Sequence, residues 1–276
     1  MQENNFSILL PVYWRDDPEA LSKCFDSIVS QTLAPLDIVI VCDGPLTPDL
    51  DSIIDVYTKL LPLFILRLNE NCGLGIALAL GLENCRCELV ARMDADDICH
   101  PSRFQKQFEY LNEFPEIDII GALIAEFRID PLDARDIRRL PTEHNRIAKY
   151  AQSRNPFNHM TVMFRKSKVL AVGGYHSFFG FEDYHLWVRM IMFGCKTANL
   201  NEVLVYARIG NGFVSRRGGL KYAAHEVQLY RFFYKIGFIS FSRTSINIIL
   251  RGFVRLSPKF IRSLIYRYLL RDIRIK

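Results

Sequence analysis

The sequence has no C-x-x-C pair, no long uncharged apolar stretch and no cationic run before its first apolar stretch. Its seven cysteines are odd in number and mostly lie in apolar segments, which predicts reduced, buried thiols and argues against a disulfide framework or a zinc site. No apolar stretch reaches the ~18 uncharged residues of a membrane-spanning helix. The missing cationic run argues against a secretory signal. These absences together predict a protein of a reducing, cytoplasmic compartment.

The chain does have a large apolar fraction and an unevenly divided charge. Half of its 276 residues are hydrophobic and 24% are charged, which predicts a globular protein with a substantial core. Residues 216–276 carry 14 Lys and Arg against two acids, a balance of +12, whereas residues 1–215 have a balance of −7. A basic, aromatic-rich tail on an acidic body suggests that the tail meets a polyanion, either a membrane surface or nucleic acid.

Apolar strand patterns alternate with helical patterns in the first part of the chain. The predicted strands are 6–14, 36–44, 64–69 and 88–94, and the predicted helices are 17–32, 51–61, 75–85 and 101–114. Such alternation predicts a parallel sheet flanked by helices. Ligands of these sheets bind beyond the carboxyl ends of the strands, where Asp43 and Asp94 are expected to lie.

The second part of the chain has a less regular pattern. Strands are expected at 118–127, 159–167 and 203–208, residues 130–158 are predicted to be irregular, and residues from 220 onward are predicted to be helical. A helix is predicted to begin near Glu182 and Asp183. Its inner face would carry Leu186, Met190 and Phe193, with Trp187 also in the core.

Three carboxylates, Asp94, Asp96 and Asp97, follow the strand at 88–94 within four positions. They repel one another, and an apolar setting makes each one costly to ionise, so they require a positive partner or contact with water. A D-x-D pair at a strand end can hold a hard divalent cation, and Mg²⁺ binds through one or two carboxylates together with phosphate oxygens. For this motif alone, a solvated acidic turn capping the helix after Pro101 is the alternative, with Asp97 as a capping or supporting group.

Five segments carry a resemblance to a known family. In order they are "ILLPVYW", "IVIVCDGP", "NENCGLGIALALG", "RMDADDICHPSRF" and "GFEDYHLWVR". Over residues 6 to 210 the chain resembles the inverting family-2 glycosyltransferases of the GT-A fold, above all the bacterial enzymes that build O-antigen or capsular polysaccharide. The resemblance implies a Rossmann-like α/β fold, with a mostly parallel sheet flanked by helices and a C-terminal basic helical extension.

The resemblance also implies a division of the chain. Residues 1–215 would form the catalytic domain, with a nucleotide-binding part at about 1–115 and an acceptor part at about 116–215. Residues 216–276 would form the basic tail. In the nucleotide-binding part, Pro11 and Tyr13 would border the base, Asp43 would hydrogen-bond the uracil ring, and Gly73 and Gly75 would form a loop near the nucleotide.

The chemical roles follow from the same resemblance. Asp94 and Asp96 match the D-x-D pair that holds Mn²⁺ or Mg²⁺ and the donor, with Asp96 as the more direct ligand. Asp183 matches the catalytic base, and Glu182 precedes it as the family pattern requires. His159 is expected either to line the acceptor site or to be a structural histidine. Arg208, Ser215 and Arg216 are expected either to approach the diphosphate or to be surface charges.

These matches predict a metal-dependent inverting transferase. It would move a hexose, galactose or glucose, from a UDP-sugar to a lipid-linked sugar such as GlcNAc-diphosphate-polyprenol. Two alternatives are a Mg²⁺-dependent haloacid-dehalogenase-type phosphotransferase and a non-catalytic, membrane-surface nucleotide-binding protein. The phosphotransferase would need its D-x-D after the first strand, where this chain has Pro-Val-Tyr.

The tail favours a membrane over nucleic acid, because it contains no recognisable nucleic-acid module. A helical projection of 259–274 separates apolar residues from basic ones, and Arg243, Arg251 and Arg255 form a second basic stripe. A basic amphipathic helix can lie in the interface of an anionic leaflet. We therefore expect a peripheral protein on the cytoplasmic face of the inner membrane. The alternative is a helical cap packed on the catalytic domain.

Overall fold

The computed structural model describes residues 5–134, 136–210, 218–258 and 260, and nine strands among them form one mixed sheet. The strands are β1 Phe6–Val12, β2 Asp37–Cys42, β3 Leu63–Arg67, β4 Leu89–Arg92, β5 Ile98–Cys99, β6 Ile117–Phe127, β7 Asp136–Arg138, β8 Met163–Arg165 and β9 Lys196–Arg208. The α-helices are α1 Pro18–Val29, α2 Pro48–Tyr57, α3 Leu74–Asn84, α4 Arg103–Glu113, α5 His144–Ala151, α6 Lys166–Ala171, α7 Glu182–Met192, α8 Leu220–Lys235 and α9 Phe241–Leu256.

The order of strands in the sheet is β3-β2-β1-β4-β8-β6-β9-β5, with β7 paired to β6. The first four strands are mutually parallel, and β6 runs parallel to β9. The strand β8 is antiparallel to both of its neighbours, and β5 is antiparallel to β9. The predicted α/β sheet flanked by helices is therefore confirmed. Its first four strands are parallel as expected, and the antiparallel pairs made by β5, β7 and β8 leave the sheet as a whole mixed. The carboxyl ends of β1, β2 and β4 meet at one edge of the sheet, where the predicted nucleotide residues lie.

The first two helices of the chain begin at side chains that cap them. Asp17 caps α1 by accepting a hydrogen bond from the Glu19 N–H, and Pro18 occupies the first turn. The inner face of α1 buries Leu21 and Phe25 against the sheet. Helix α2 starts at Pro48 rather than at Asp51, because the Thr47 hydroxyl caps it by accepting from the Leu50 N–H.

The second part of the chain departs from its predicted pattern in several elements. The stretch 130–158 contains β7 and α5, and α5 escaped prediction because Ile147 and Ala151 are its only buried side chains. Only Met163–Arg165 of the predicted strand 159–167 is a strand, since α6 begins at Lys166. Phe193 was predicted to lie in the core and is 58% exposed. Gly194, with a φ of +91°, ends α7 there and turns Cys195 inward instead.

Helices α8 and α9 form a hairpin that packs on α7. Tyr184 and Val188 of α7 contact a cluster that includes Leu229, Tyr230 and Phe233 of α8. The predicted boundary at 215/216, with Ser215 and Arg216, and the amphipathic pattern at 259–274, except for Phe260, lie outside the described residues. Among the helices that the structure describes, none is long and apolar enough to cross a bilayer.

The basic stripe predicted for Arg243, Arg251 and Arg255 is wrong. The Arg255 guanidinium is buried and donates to both carboxylate oxygens of Glu226, at 2.6 and 3.2 Å. The Arg251 guanidinium approaches the same carboxylate and donates to the Ser153 carbonyl oxygen at 2.7 Å. Of the three, Arg243 alone is exposed, because the other two arginines neutralise a buried acid of α8.

Candidate active site

Three carboxylates converge at the carboxyl end of β4. One oxygen each of Asp94, Asp96 and Asp97 lies within 4.8 Å of the others. Asp97 is buried, and one of its oxygens accepts a hydrogen bond from the Arg208 N–H at 2.9 Å. Its other oxygen has no hydrogen-bond partner among the described residues. Asp97 does not cap the following helix, because Ser102 occupies the N-cap position of α4.

Two arginines supply the positive charge near these acids. Arg92, the last residue of β4, is only 1% exposed, and its guanidinium forms an ion pair with Asp94. The Arg208 guanidinium donates to the Asp96 carbonyl oxygen at 3.2 Å, because the pairing of β5 with β9 brings the end of β9 beside the acids. Two cations beside three carboxylates leave negative charge uncompensated.

The pKa values of Asp96 and Asp97 reflect first their burial and then their repulsion by neighbouring acids. Burial, followed by the charge of Asp94, raises the pKa of Asp96 to about 6. Burial and the charges of Asp94 and Asp96 raise the pKa of Asp97. A hard divalent cation would relieve the repulsion among these acids, and carboxylate oxygens are the ligands that it prefers. The three carboxylates and the unpartnered oxygen of Asp97 therefore fit such a cation.

A fourth acid near this cluster, Asp16, was missed in the sequence. It lies in the loop after β1 and accepts a hydrogen bond from the Tyr13 N–H at 2.9 Å. Burial raises its pKa to about 7, with further contributions from the charges of Asp96 and Asp94. The sequence offered one sign of its role. Asp16 follows β1, and the carboxyl ends of parallel strands lie at the same edge of a sheet. Tyr13 lies in the same loop, and Pro11 lies near the end of β1.

Asp43 follows β2 and is buried at the same edge of the sheet. Its carboxylate accepts hydrogen bonds from the Cys72 N–H at 2.7 Å, the Gly73 N–H at 3.0 Å and the Asn71 side-chain amide at 3.0 Å. These bonds hold the loop that precedes α3. The structure thus gives Asp43 a loop-holding role that the sequence did not suggest, and the contact with a uracil ring stays a prediction.

The glycines of this loop have different constraints. Gly73 has a φ of +86°, a conformation that favours glycine, and no atom lies within 4 Å of where its Cβ would be. A Cβ on Gly75 would lie 2.5 Å from the His176 carbonyl oxygen. Gly75 therefore allows the start of α3 to contact the loop that leads into α7, and so links the two parts of the site.

Glu182 and Asp183 begin α7, as predicted. The Asn155 side-chain amide donates to one oxygen of Asp183 at 2.5 Å, and the Tyr184 N–H donates to the other at 2.7 Å. Burial raises the pKa of Asp183 in spite of these bonds, and it raises the pKa of Glu182 to about 7. The charge of Arg92 acts on both carboxyls, so this buried arginine serves the α7 pair as well as the β4 cluster.

His159 lies in an aromatic cluster behind the site. Its Nε2 is 3.1 Å from the Tyr175 hydroxyl, and its ring meets the Trp187 ring edge to face at 5.9 Å between centroids. Burial and the charge of Arg92 lower the pKa of His159 well below its ordinary value. The ring is thus neutral and packed, which favours the structural alternative, and contact with an acceptor stays a prediction.

The sequence matches the model of the family described as glycosyl transferase family 2 over residues 7–171. It is 41% identical over 261 residues to an amylovoran biosynthesis glycosyltransferase, AmsE, of Erwinia amylovora, covering 95% of this chain and 97% of that one. It is 38% identical over 266 residues to an Escherichia coli protein, covering 96% of each chain. That protein is named UDP-Gal:alpha-D-GlcNAc-diphosphoundecaprenol beta-1,3-galactosyltransferase.

Solved structures share the fold at lower identity. Residues 1–349 of TarS of S. aureus, in complex with UDP-GlcNAc, match with a TM-score of 0.68 at 15% identity, over 96% of this chain and 76% of that one. The mannosyltransferase PcManGT of Pyrobaculum calidifontis, in complex with GDP-Man and Mn²⁺, matches with a TM-score of 0.65 at 15% identity, over 96% and 81%. The arrangement of sheet and helices is thus that of the GT-A fold.

Proposed function

The chain belongs to the family-2 glycosyltransferases, and from this premise we propose that it transfers galactose from UDP-galactose to a lipid-linked GlcNAc-diphosphate. The observation that carries the proposal is the E. coli relative named for this reaction, which matches almost the whole of both chains. The carboxylates at the end of β4 and at the start of α7 supply the chemistry that such a transfer needs. Glucose is the other hexose that the sequence left open.

Membership of this family excludes the two alternative functions that the sequence left open. A haloacid-dehalogenase-type phosphotransferase would carry its D-x-D after β1, and here the pair follows β4. A non-catalytic nucleotide-binding protein is wrong as well, because relatives at about 40% identity over most of the chain are named as glycosyltransferases.

We infer that Asp94, Asp96 and Asp97 hold a divalent cation, Mn²⁺ or Mg²⁺. The unpartnered oxygen of Asp97 and the excess negative charge of the cluster support this assignment, and so does the Mn²⁺ of the structurally similar mannosyltransferase. When bound, the cation supplies a Lewis acid for the charge that develops on the leaving diphosphate.

Asp183 is proposed to take the proton from the acceptor hydroxyl as that hydroxyl attacks the sugar. The hydrogen bonds from Asn155 and from the Tyr184 N–H fix the direction of its carboxylate. The raised pKa makes it a stronger base than an exposed aspartate, which suits proton transfer near neutral pH. Glu182 beside it is only partly ionised near neutral pH, because burial raises its pKa to about 7. An inverting transfer needs no covalent nucleophile.

The donor is proposed to lie across the shared edge of β1, β2 and β4. Pro11 and Tyr13 would border the base from the end of β1. The loop that Asp43 holds through Cys72 and Gly73 would form the opposite wall. Ligands of open α/β sheets bind at this edge, which supports the placement.

The protein is proposed to work at the cytoplasmic face of a membrane, held there through residues 216–276. The net charge of +12 in this stretch suits an anionic leaflet. A lipid-linked acceptor, as in the name of the E. coli relative, would require the enzyme to reach that surface. No nucleic-acid partner is proposed.

The direct test offers a panel of UDP-sugars with a GlcNAc-diphosphate-lipid analogue and measures transfer. We expect UDP-galactose to be the preferred donor and EDTA to abolish transfer. Asp96→Ala should reduce transfer by ~10² or more without changing the melting temperature, because this carboxylate would hold the cation that stabilises the charge on the leaving diphosphate. Transfer from no UDP-sugar would contradict the proposed function, and full activity without metal would contradict the assignment of the cluster.

A further inference from the structure

Helix α9 buries polar side chains and leaves most of its large apolar side chains exposed. Its buried side chains are Thr244, Asn247 and Arg255. Its large apolar side chains that face outward are between 50% and 70% exposed, and they are Ile246, Ile249, Leu250, Phe253 and Leu256. A helix at the surface of a protein in water has the opposite arrangement, with its apolar stripe toward the core.

The exposed residues form one continuous stripe. Their spacings from Ile246 are 3, 4, 7 and 10 residues, which places them on a single face of an α-helix. Phe260, just beyond the end of α9, is 73% exposed. Phe241 at the start of α9 is 70% exposed. We call the five side chains from Ile246 to Leu256 the outer face of α9. Contiguous exposed apolar surfaces of this kind mark sites of protein or membrane interaction.

The inner side of α9 is held by specific polar bonds, so its orientation is fixed. Arg255 pairs with the buried Glu226 of α8, and the Asn247 side chain donates to the Gln152 carbonyl oxygen at 2.8 Å. The Arg251 guanidinium and the Tyr230 hydroxyl both donate to the Ser153 carbonyl oxygen, at 2.7 and 2.8 Å. Turning α9 to bury its apolar face would leave the charge of Glu226 buried without a partner, which is costly.

From this geometry we propose that the outer face of α9 inserts into the interface of an anionic lipid bilayer. This inference rests on the proposed function in one respect, namely that the acceptor is carried on a lipid. It differs from the basic-tail hypothesis, because the contact is made by apolar side chains of a described helix. It also assigns Arg251 and Arg255 to the support of α9 rather than to lipid headgroups.

Charge favours a bilayer over a second copy of the chain. The sequence directly after α9, residues 257–276, contains six Lys and Arg and one acid, Asp272. An anionic leaflet attracts these cations while the apolar face inserts, and the two contributions reinforce each other. A second copy of the chain would bring the same net positive charge of residues 257–276 and so would offer no complementary partner for it.

The placement of α9 also suits the proposed reaction. Gln152 and Ser153, which α9 contacts, precede Asn155, whose side chain holds Asp183. The bilayer-facing helix and the proposed base are therefore joined by a few residues of chain. A lipid-linked acceptor would reach Asp183 from the side of the molecule that faces the bilayer.

The test measures insertion by fluorescence. Phe253→Trp places an indole on the outer face of α9, and lipids with brominated acyl chains quench an indole that enters the hydrocarbon boundary. We expect quenching on vesicles that contain phosphatidylglycerol, beyond that of the wild-type protein with its native Trp14 and Trp187. The matched control is Val56→Trp in α2, where the native side chain is 55% exposed and away from α9. The control should gain no such quenching.

A loss-of-contact variant completes the test. Ile249→Gln with Phe253→Gln should weaken partition onto the same vesicles by ~10-fold or more, with an unchanged melting temperature. The control pair, Val56→Gln with Leu60→Gln, should bind as the wild type does. Unchanged partition of the α9 variant, or absence of quenching in Phe253→Trp, would overturn the proposal. So would a wild-type dimer that the α9 variant separates, because the outer face would then join two copies.

Failure of this inference is distinguishable from failure of the proposed function. Transfer to a water-soluble acceptor is measured on the same variants and should equal that of the wild type, since no residue changed lies in the active site. Normal transfer without quenching would refute the inference alone. Quenching without transfer from any UDP-sugar would refute the proposed function and leave the bilayer contact intact.

Discussion

The charge of Arg92 acts on two groups of carboxylates. The arginine is paired with Asp94, and its charge also acts on Asp183 and Glu182. Two nitrogens of its guanidinium, Nε and Nη1, have no hydrogen-bond partner among the described residues. Burying an arginine with unmade hydrogen bonds lowers the stability of the fold. The attraction between Arg92 and the acids that it neutralises offsets this cost.

We expect Arg92→Met to lower the free energy of unfolding by about 3 kcal/mol, because it leaves Asp94 without its buried partner. Urea unfolding measures this loss. The matched control is Arg67→Met, which removes an exposed arginine 2.7 Å from the half-exposed Asp51 and should cost less than about 1 kcal/mol. Equal losses in the two variants would show that Arg92 is no more important than a surface charge.

Asp183→Asn keeps the shape of the side chain but removes its ability to take a proton. We expect UDP-galactose to bind as before, while kcat falls by ~10² or more. Calorimetry of donor binding and steady-state kinetics separate the two effects. Asp49→Asn, at the exposed start of α2, is the matched control and should have normal kcat. Loss of donor binding together with kcat would move Asp183 to the donor site.

The pH dependence provides a second measure of the same residue. Burial raises the pKa of Asp183 above its ordinary 3.8, and a base acts only when it is deprotonated. The wild-type kcat should therefore fall as the pH is lowered through a value above 3.8, and the residual rate of Asp183→Asn should lack that dependence.

The sequence indicated most of the acids of the site, but it did not indicate Arg92, the buried arginine that neutralises them. Asp43, Asp94, Asp96 and Asp183 stand in recognisable motifs at strand and helix ends. Arg92 was overlooked because an arginine inside an apolar strand has no distinctive spacing, and only the fold lets its charge act on two acid groups. Asp16 was missed for the same reason, since its neighbours Asp94 and Asp96 are distant in sequence.

At the scale of elements, local patterns succeeded where one helix or strand determines its own ends. Helix α1 begins where its Asp17-Pro18 pair predicts. Local patterns failed where tertiary contacts determine whether a helix forms. An example is α5, which is mostly polar and buries only two residues. Helix α9 is the clearest failure. Its arginines suggested a basic outer stripe, whereas the buried Glu226 of α8 draws two of them inward.

A substitution at Gly75 tests the close contact between the start of α3 and the loop that leads into α7. A Cβ at this position would lie 2.5 Å from a backbone oxygen, so Gly75→Ala should lower the free energy of unfolding by about 1–3 kcal/mol. Gly252, inside α9, is the matched control, because nothing lies within 4 Å of its Cβ position. Gly252→Ala should raise the free energy of unfolding by about 0.5–1 kcal/mol. Denaturant titration measures both, and a neutral Gly75→Ala would contradict the close contact.

At the scale of the whole molecule, the order of strands brings distant residues to one edge of the sheet. The central strands β1 and β4 are neighbours, and β8 joins them to the strands β6 and β9 of the second part of the chain. The charge of Arg92 thus reaches both Asp94 and Asp183, although these two acids lie far apart in the sequence. The α8–α9 hairpin, which the sequence offered only as an alternative in the form of a helical cap, supports the chain before Asn155.

The anomeric configuration of the transferred sugar tests the central claim most directly. UDP-galactose is an α-glycoside, and a single displacement by an acceptor hydroxyl, with Asp183 as its base, inverts the anomeric carbon. Nuclear magnetic resonance of the product formed on a GlcNAc-diphosphate-lipid analogue should therefore show a β-linked galactose. An α-linked product would mean retention of configuration, which a single in-line displacement cannot give, and would contradict this account.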